Sequence, residues 1–185
     1  ALPIYPARQE SVESQVRVAR HAVAAAGLAL ALTAPAGARQ EDAIKWRLAT
    51  EPATLTTTPG ATVKLALTAE VDTGWHLYAT VLPDGGPKPT KITVPDGQEF
   101  TAAGDIDEPA PSSSFDKNFN MTLDFHEGTV TFGVPVKSKP DASLGAVPVR
   151  VSIAYQTCND SFCLPPKQVV VSTAVQIRPD MAKQP

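Results

Sequence analysis

"AVPVRVSIAYQTCNDSFCLPPKQVVVSTAVQI", residues 146–177, decides the fold. Two stretches in it alternate strictly: Val147, Val149, Val151, Ile153 and Tyr155 in the first, Val169, Val171, Thr173, Val175 and Ile177 in the second. A period of two places each set on one face of a strand, with the intervening residues on the other. Between the two stretches lie the chain's two cysteines, Cys158 and Cys163, separated by "NDSF", whose Asn159-Asp160 pair favours a turn. The region therefore reads as a hairpin with a cysteine on each shoulder of its loop, close enough to bridge without distorting either strand.

Outward from this hairpin the same period recurs. "TVKLALTAEV" (62–71) alternates through Val63, Leu65, Leu67, Ala69 and Val71, and "TVTFGVPV" (129–136) through Val130, Phe132, Val134 and Val136. "WHLYATVL" (75–82) and "KITVP" (91–95) read as further strands, and a short strand is expected around Ile44 to Leu48 in a lead-in running to residue 60. Turn signals separate them: Pro59-Gly60, Asp72-Thr73-Gly74, Pro95-Asp96-Gly97, and "PDGGPKPT" (83–90), whose three prolines and two glycines break any ladder. Gly104 to Asn120 reads as the longest loop of the domain, and loops above about 12–15 residues in a compact domain are usually functional or disordered. Seven or eight short strands at 8–12-residue spacing, with no amphipathic helix after residue 50, describe an all-β, immunoglobulin-like β-sandwich.

Composition agrees. Of 185 residues 43% are hydrophobic, enough for a core, and the 18 prolines are about twice the usual ~5% share. A net charge of −3 argues against a nucleic-acid partner, which wants a basic face. Residues 1–38 read as a signal or targeting segment: Arg17, Arg20 and His21 precede the apolar run Ala22 to Leu32, and Ala36-Gly37-Ala38 supplies a small-x-small cleavage site. Eleven apolar residues fall short of the ~20 needed to span a bilayer, so the processed chain is not expected to cross a membrane. Residues 1–16 make a long leader that reads as an over-called start. The expected division is thus 1–38 signal, 39–178 sandwich domain and 179–185 tail; without the first 38 residues 13 basic face 17 acidic ones, a net charge of −4. Export would place the cysteine pair where disulfides persist.

Spacing alone leaves a plain structural bridge and a redox couple evenly placed. As a staple the pair is poorly sited, because closing about six residues contributes only ~2 kcal/mol against ~4–5 for a loop of about a hundred. A metal site is disfavoured: beyond the two thiols only His76 and His126 remain after residue 38, without the paired spacing of a zinc module. A cysteine–histidine hydrolase lacks any recognisable oxyanion loop.

"YQTCNDSFCLPPK" (155–167) resembles the active-site hairpin of the N-terminal periplasmic domain family of the thiol:disulfide interchange protein DsbD. "GWHLYATVLPDGGPKPTKITVP" (74–95) resembles the family's Gly-aromatic-x-Leu/Ile-Tyr strand and its Gly-Gly-Pro-x-Pro-Thr loop, and "FDKNFNMTLDFHEGTVTFGVPV" (115–136) resembles the segment ahead of its next core strand. These blocks stand in the same order across roughly residues 42–177. The resemblance implies a periplasmic electron relay, an oxidoreductase in the broad sense linked to cytochrome c biogenesis, in which Cys158 and Cys163 exchange disulfides with thioredoxin-like proteins. It implies no cofactor, and a membrane-embedded electron donor supplied by another chain. By the same analogy Cys163 bonds the partner and Cys158 resolves. Phe115 and Phe119 are the candidates for a ring that caps the cysteines. His76, Tyr78, Tyr155, Asp160 and Phe162 are the candidates for shaping the cysteine environment, although Asp160 reads first as a turn residue and Tyr78 as half-buried packing. The competing reading is a non-catalytic secreted β-sandwich binding module with a permanent hairpin disulfide.

Overall fold

Alternating apolar side chains leave each strand with one face to bury, and the chain satisfies this by stacking sheets. The computed structural model describes residues 42–53 and 55–180. The signal segment and its cleavage site, and residues 181–185 of the tail, lie outside the described residues.

Among the described residues there are twelve strands: β1 (Ile44–Thr50), β2 (Thr56–Thr57), β3 (Thr62–Val71), β4 (Trp75–Tyr78), β5 (Lys91–Thr93), β6 (Phe100–Ala102), β7 (Ser112–Asp116), β8 (Met121–His126), β9 (Thr129–Ser138), β10 (Gly145–Tyr155), β11 (Thr157–Asn159) and β12 (Lys167–Ile177). They form three four-stranded sheets, ordered β1-β3-β9-β6, β2-β12-β10-β5 and β11-β4-β8-β7. Every pairing is antiparallel except β2 with β12. The first two sheets supply the main core, in which Leu65, Leu67, Phe132, Val134 and Val136 cluster with Val149, Val151, Ile153, Val175 and Ile177. Each such side chain contributes roughly 1.5–3 kcal/mol by leaving water. The chain is an all-β, immunoglobulin-like sandwich, and the third, smaller sheet carries the cysteines.

The alternation identified the inward-facing positions of the long strands. Val147 to Tyr155 are buried at every second position, and β10 pairs with β12 from Gly145↔Ile177 to Tyr155↔Lys167. Three expectations change. "WHLYATVL" stops being strand after Tyr78: the Ala79 amide still donates to Asp124 O on β8, but the Thr80 amide turns to the Glu108 carboxylate instead of a ladder. The Gly104–Asn120 stretch is not one long loop. Its first part is pinned where Asp107 and Gly133 exchange backbone hydrogen bonds of 2.9 and 2.8 Å, and its last part is β7. Gly133 permits that approach, since a Cβ there would lie 2.9 Å from Asp107 Cβ. Finally, the cysteines do not cap the β10–β12 ladder itself. After Tyr155 the chain leaves that sheet, and Thr157–Asn159 enters the third sheet as β11, beside β4.

Candidate functional site: the cysteine hairpin

The hairpin is built by its own turn. Asn159 N donates to Phe162 O at 3.0 Å and Leu164 N to Thr157 O at 2.9 Å, while Asn159 Oδ1 accepts from the amides of Ser161 and Phe162, each at 2.9 Å. An Asx turn of this kind needs the short side-chain oxygen that Asn159 supplies, so "ND" is a turn signal with its mechanism visible. Thr157 Oγ1 donates to His76 O at 2.7 Å and fixes the hairpin to β4, with Cys158 opposite His76 and Asn159 opposite Trp75. Cys158 and Cys163 face each other across the hairpin and are joined by a disulfide.

The two sulfur-bearing residues differ in surroundings. Cys158 is fully buried in a second, small core with Tyr78, Leu123 and Phe125, whereas Cys163 is only partly buried at its margin beside Leu82, Phe119 and Met121. Burial follows from strand alternation. Cys158 and its neighbour His76 lie on the face of the third sheet shared with Tyr78 and Phe125, and the His76 ring stacks on Phe125 at 4.3 Å. His76 Nε2 also pairs with Glu127 at 2.9 Å. On the other face Trp75 reaches the main core and meets Phe162 edge-on at 5.4 Å.

Tyr78 is buried completely, and its hydroxyl donates to Asp116 Oδ2. Burial, then the hydrogen bond to Asp116 and its charge, push the phenol far above its ordinary range, so it stays a neutral donor. Asp116 Oδ1 accepts from Asn118 N at 2.7 Å and Phe119 N at 3.2 Å, shaping the turn between β7 and β8. Asn118 Nδ2 reaches across to Asn159 O at 2.9 Å. A polar cleft of about 60 Å³ opens here, lined by His76, Asp116, Asn118, Asn159 and Asp160 among others. A more apolar groove of about 120 Å³ flanks the other shoulder, lined by Tyr155, Thr157, Leu164, Pro165, Pro166 and Lys167 with Asp42.

Of the candidates named from sequence, the structure gathers Cys158, Cys163, Tyr78 and Phe119 into one cluster, with His76 at its edge. Phe119 meets Tyr78 edge-on at 6.2 Å, while Phe115, 58% exposed on β7, lines the cleft. Tyr155 belongs to the main core instead: its ring packs on Trp46 and its hydroxyl donates to both Asp42 oxygens at 2.8 and 2.9 Å. Its phenol is likewise raised beyond its ordinary range, by burial first and then by Asp42. Asp160 is exposed at the turn, as a turn residue should be. Lys167, the nearest cation in sequence, is engaged by Asp42 at 3.0 Å. Sequence reasoning missed Asp116, Asn118, Met121, Leu123 and Phe125. A signal existed in "FDKNFN", where Asp116 and Asn118 favour a turn, but it was absorbed into a supposed loop.

Among the described residues no three His, Cys, Asp or Glu side chains are grouped to hold a metal ion, and no helix is long and apolar enough to cross a membrane. The family model of the N-terminal domain of the thiol:disulfide interchange protein DsbD matches residues 46–174, most of the chain and the whole of the hairpin. The chain belongs to the DsbD N-terminal domain family. No curated protein matches its sequence. Among solved structures, similarity is found to the reduced DsbD N-terminal domain of Neisseria meningitidis, at 14% identity over 72% of this chain and 86% of that one, with a TM-score of 0.46. The N-terminal periplasmic domain of ScsB from Proteus mirabilis is 18% identical over 71% of this chain and 46% of that one, with a TM-score of 0.49. The Cys158–Cys163 disulfide lies within the matched stretch.

Proposed function

We propose that this domain exchanges disulfides with thioredoxin-like proteins in the periplasm, relaying two electrons through Cys158 and Cys163. The observation that carries the reading is the asymmetry of the pair: one cysteine sealed in a small core, the other at its accessible margin, on a family-matched hairpin. Exchange needs one sulfur open to an incoming partner and a second held ready to displace it. In the reduced protein the Cys163 thiolate attacks a partner disulfide, forming a mixed disulfide and releasing one partner thiolate. Cys158, as thiolate, then attacks Cys163 Sγ, which releases the second partner thiolate and closes the Cys158–Cys163 bond. The partner gains two electrons and, after protonation, two thiols. A membrane-embedded donor on another chain returns the electrons. Phe119 is the shielding ring, supported by its packing in the cysteine cluster where Phe115 is largely exposed. Export by the segment 1–38 belongs to the same reading.

The test is a reduction potential together with a trapping experiment. A potential above about −300 mV marks a labile, working disulfide. Cys158→Ser should accumulate a mixed disulfide with a thioredoxin-like protein through Cys163, and Cys163→Ser should not. A potential well below that value, with no mixed disulfide in either variant, would leave a secreted sandwich with a permanent bridge.

A further inference from the structure

Neighbouring strands of the third sheet set a thiol side chain, an imidazole and a carboxylate in one row. Cys158 on β11 pairs directly with His76 on β4, and residues opposite each other in an antiparallel pair hold their Cβ atoms about 4.5–5.5 Å apart on one face. On the other side of β4 the register runs Tyr78↔Phe125 and Leu77↔His126, so the next rung sets His76 beside Glu127, just past the end of β8. There His76 Nε2 meets Glu127 Oε1 at 2.9 Å. Packing supports the row as well as pairing does: the His76 ring lies 4.3 Å from that of Phe125, and Phe125 clusters with Cys158. The row runs from a sealed end to an open one, because Cys158 is fully buried while His76 lines the polar cleft and Glu127 is exposed. Cys163 stands on the far side of Cys158 from His76.

The order of the row has a chemical consequence. A carboxylate only accepts, so in the neutral ring Nε2 carries the hydrogen and Nδ1 is left as the acceptor. A sulfur as buried as that of Cys158 has no water to take its proton, and apolar surroundings disfavour a free thiolate. Other titratable groups nearby are engaged or turned away: Tyr78 donates to Asp116, Lys167 is paired with Asp42, and Asp160 is exposed at the turn. Resting on the exchange reading, we propose that His76 is the base that takes the Cys158 proton in the resolving step, with Glu127 as the positioning residue that fixes its tautomer. The Cys158 thiol gives its proton to His76 Nδ1, and the sulfur's electron pair forms the bond to Cys163 Sγ. The mixed disulfide breaks as this bond forms, and its electron pair leaves on the partner sulfur. Glu127 balances the imidazolium, which hands its proton to water in the cleft. In the opposite direction a donor thiolate attacks Cys163, Cys158 leaves as thiolate, and the imidazolium returns the proton. The attack of Cys163 on a partner lies outside the row and makes no use of the base.

The experiment mixes the reduced, intact protein with the aromatic disulfide dithiobis(nitrobenzoate) in a stopped-flow instrument and follows release of the coloured thiolate. Attack by Cys163 releases the first thiolate at a rate that scales with reagent concentration. Closure by Cys158 releases the second at a rate that does not, and Cys158→Ser must show the first release alone. His76→Phe keeps a ring against Phe125 and removes both nitrogens. Its second phase should slow roughly a hundredfold, the low end for a positioned base, with the first phase unchanged. Glu127→Gln, at an exposed side chain, should slow the second phase about tenfold, because an amide does not fix the tautomer or raise the basicity of the ring as a carboxylate does. A second phase slowed less than about tenfold in His76→Phe overturns the proposal. So does an equal slowing of both phases, the signature of a distorted hairpin. Should His76→Phe not fold, Glu127→Gln decides, and a wild-type second phase in it overturns the proposal. Failure of the exchange reading looks different: Cys158→Ser would trap no thioredoxin-like protein even though closure still depended on His76.

Discussion

Reducing the Cys158–Cys163 bond should cost the domain little, and the amount can be worked from the hairpin. The bridge closes a loop of about six residues, for which the chain-entropy relation gives about 2 kcal/mol at 25 °C. That is an upper figure, because the turn is already closed by Asn159 N to Phe162 O, Leu164 N to Thr157 O and the two bonds onto Asn159 Oδ1, none of which needs the disulfide. The stability difference between oxidised and reduced protein equals the difference in reduction potential between the folded and the unfolded pair. For a two-electron couple about 2 kcal/mol corresponds to roughly 45 mV, so folding lowers the potential by no more than about that. Guanidinium unfolding of the oxidised and the thiol-reduced domain should therefore differ by about 2 kcal/mol or less, or roughly 4–8 °C in melting temperature. Both forms should unfold in one transition. A gap of 4 kcal/mol or more, the size expected of a bridge closing about a hundred residues, would refute the argument and mark the disulfide as a structural staple.

Tyr78 and Tyr155 both carry folded-state values raised above the ordinary 10.0, so the unfolded chain ionises first as pH rises. Their contribution is intact below about pH 10 and is lost progressively above it. Denaturant titrations should show stability falling above that pH, and tyrosinate absorbance of the native protein at pH 11 should miss two of the chain's three tyrosines, which appear on unfolding. Gly133→Ala would place a Cβ 2.9 Å from both Asp107 Cβ and Lys64 Cδ, and overpacking of this kind costs about 1–3 kcal/mol. Faster amide exchange at Asp107 should accompany the loss, and unchanged exchange there would sink the claim that this contact pins the segment. Val151→Ala, in a fully buried position of β10, should cost about 1–3 kcal/mol in thermal unfolding with no change in the rate of disulfide reduction.

Strand periodicity needs only local information, which is why the core-facing positions of β3, β9, β10 and β12 could be read directly: their apolar positions fall on one face because one face meets a core. The fold class, the turn at Asn159-Asp160 and the pairing of two cysteines so close in sequence follow from the same local rules. β7 escaped because it is an edge strand, "SSSFD", exposed at nearly every position, and a strand with no face to bury writes no alternation into the chain. What gathers at the cysteines was likewise hidden. Tyr78, Phe119 and Phe125 cluster with Cys158 across separations of tens of residues, with Asp116 bonded to the Tyr78 hydroxyl, and only the pairing of β11, β4, β8 and β7 in one sheet brings them together. Tyr155 shows the limit most sharply. Three residues from Cys158 in sequence, it faces the main core, because the chain changes sheets at Gln156 and turns the next residues toward a different interior. The sequence alone determined that there would be two cysteines on a tight hairpin; which of them is sealed and which stays partly exposed at the margin was decided by the sheet that hairpin joins.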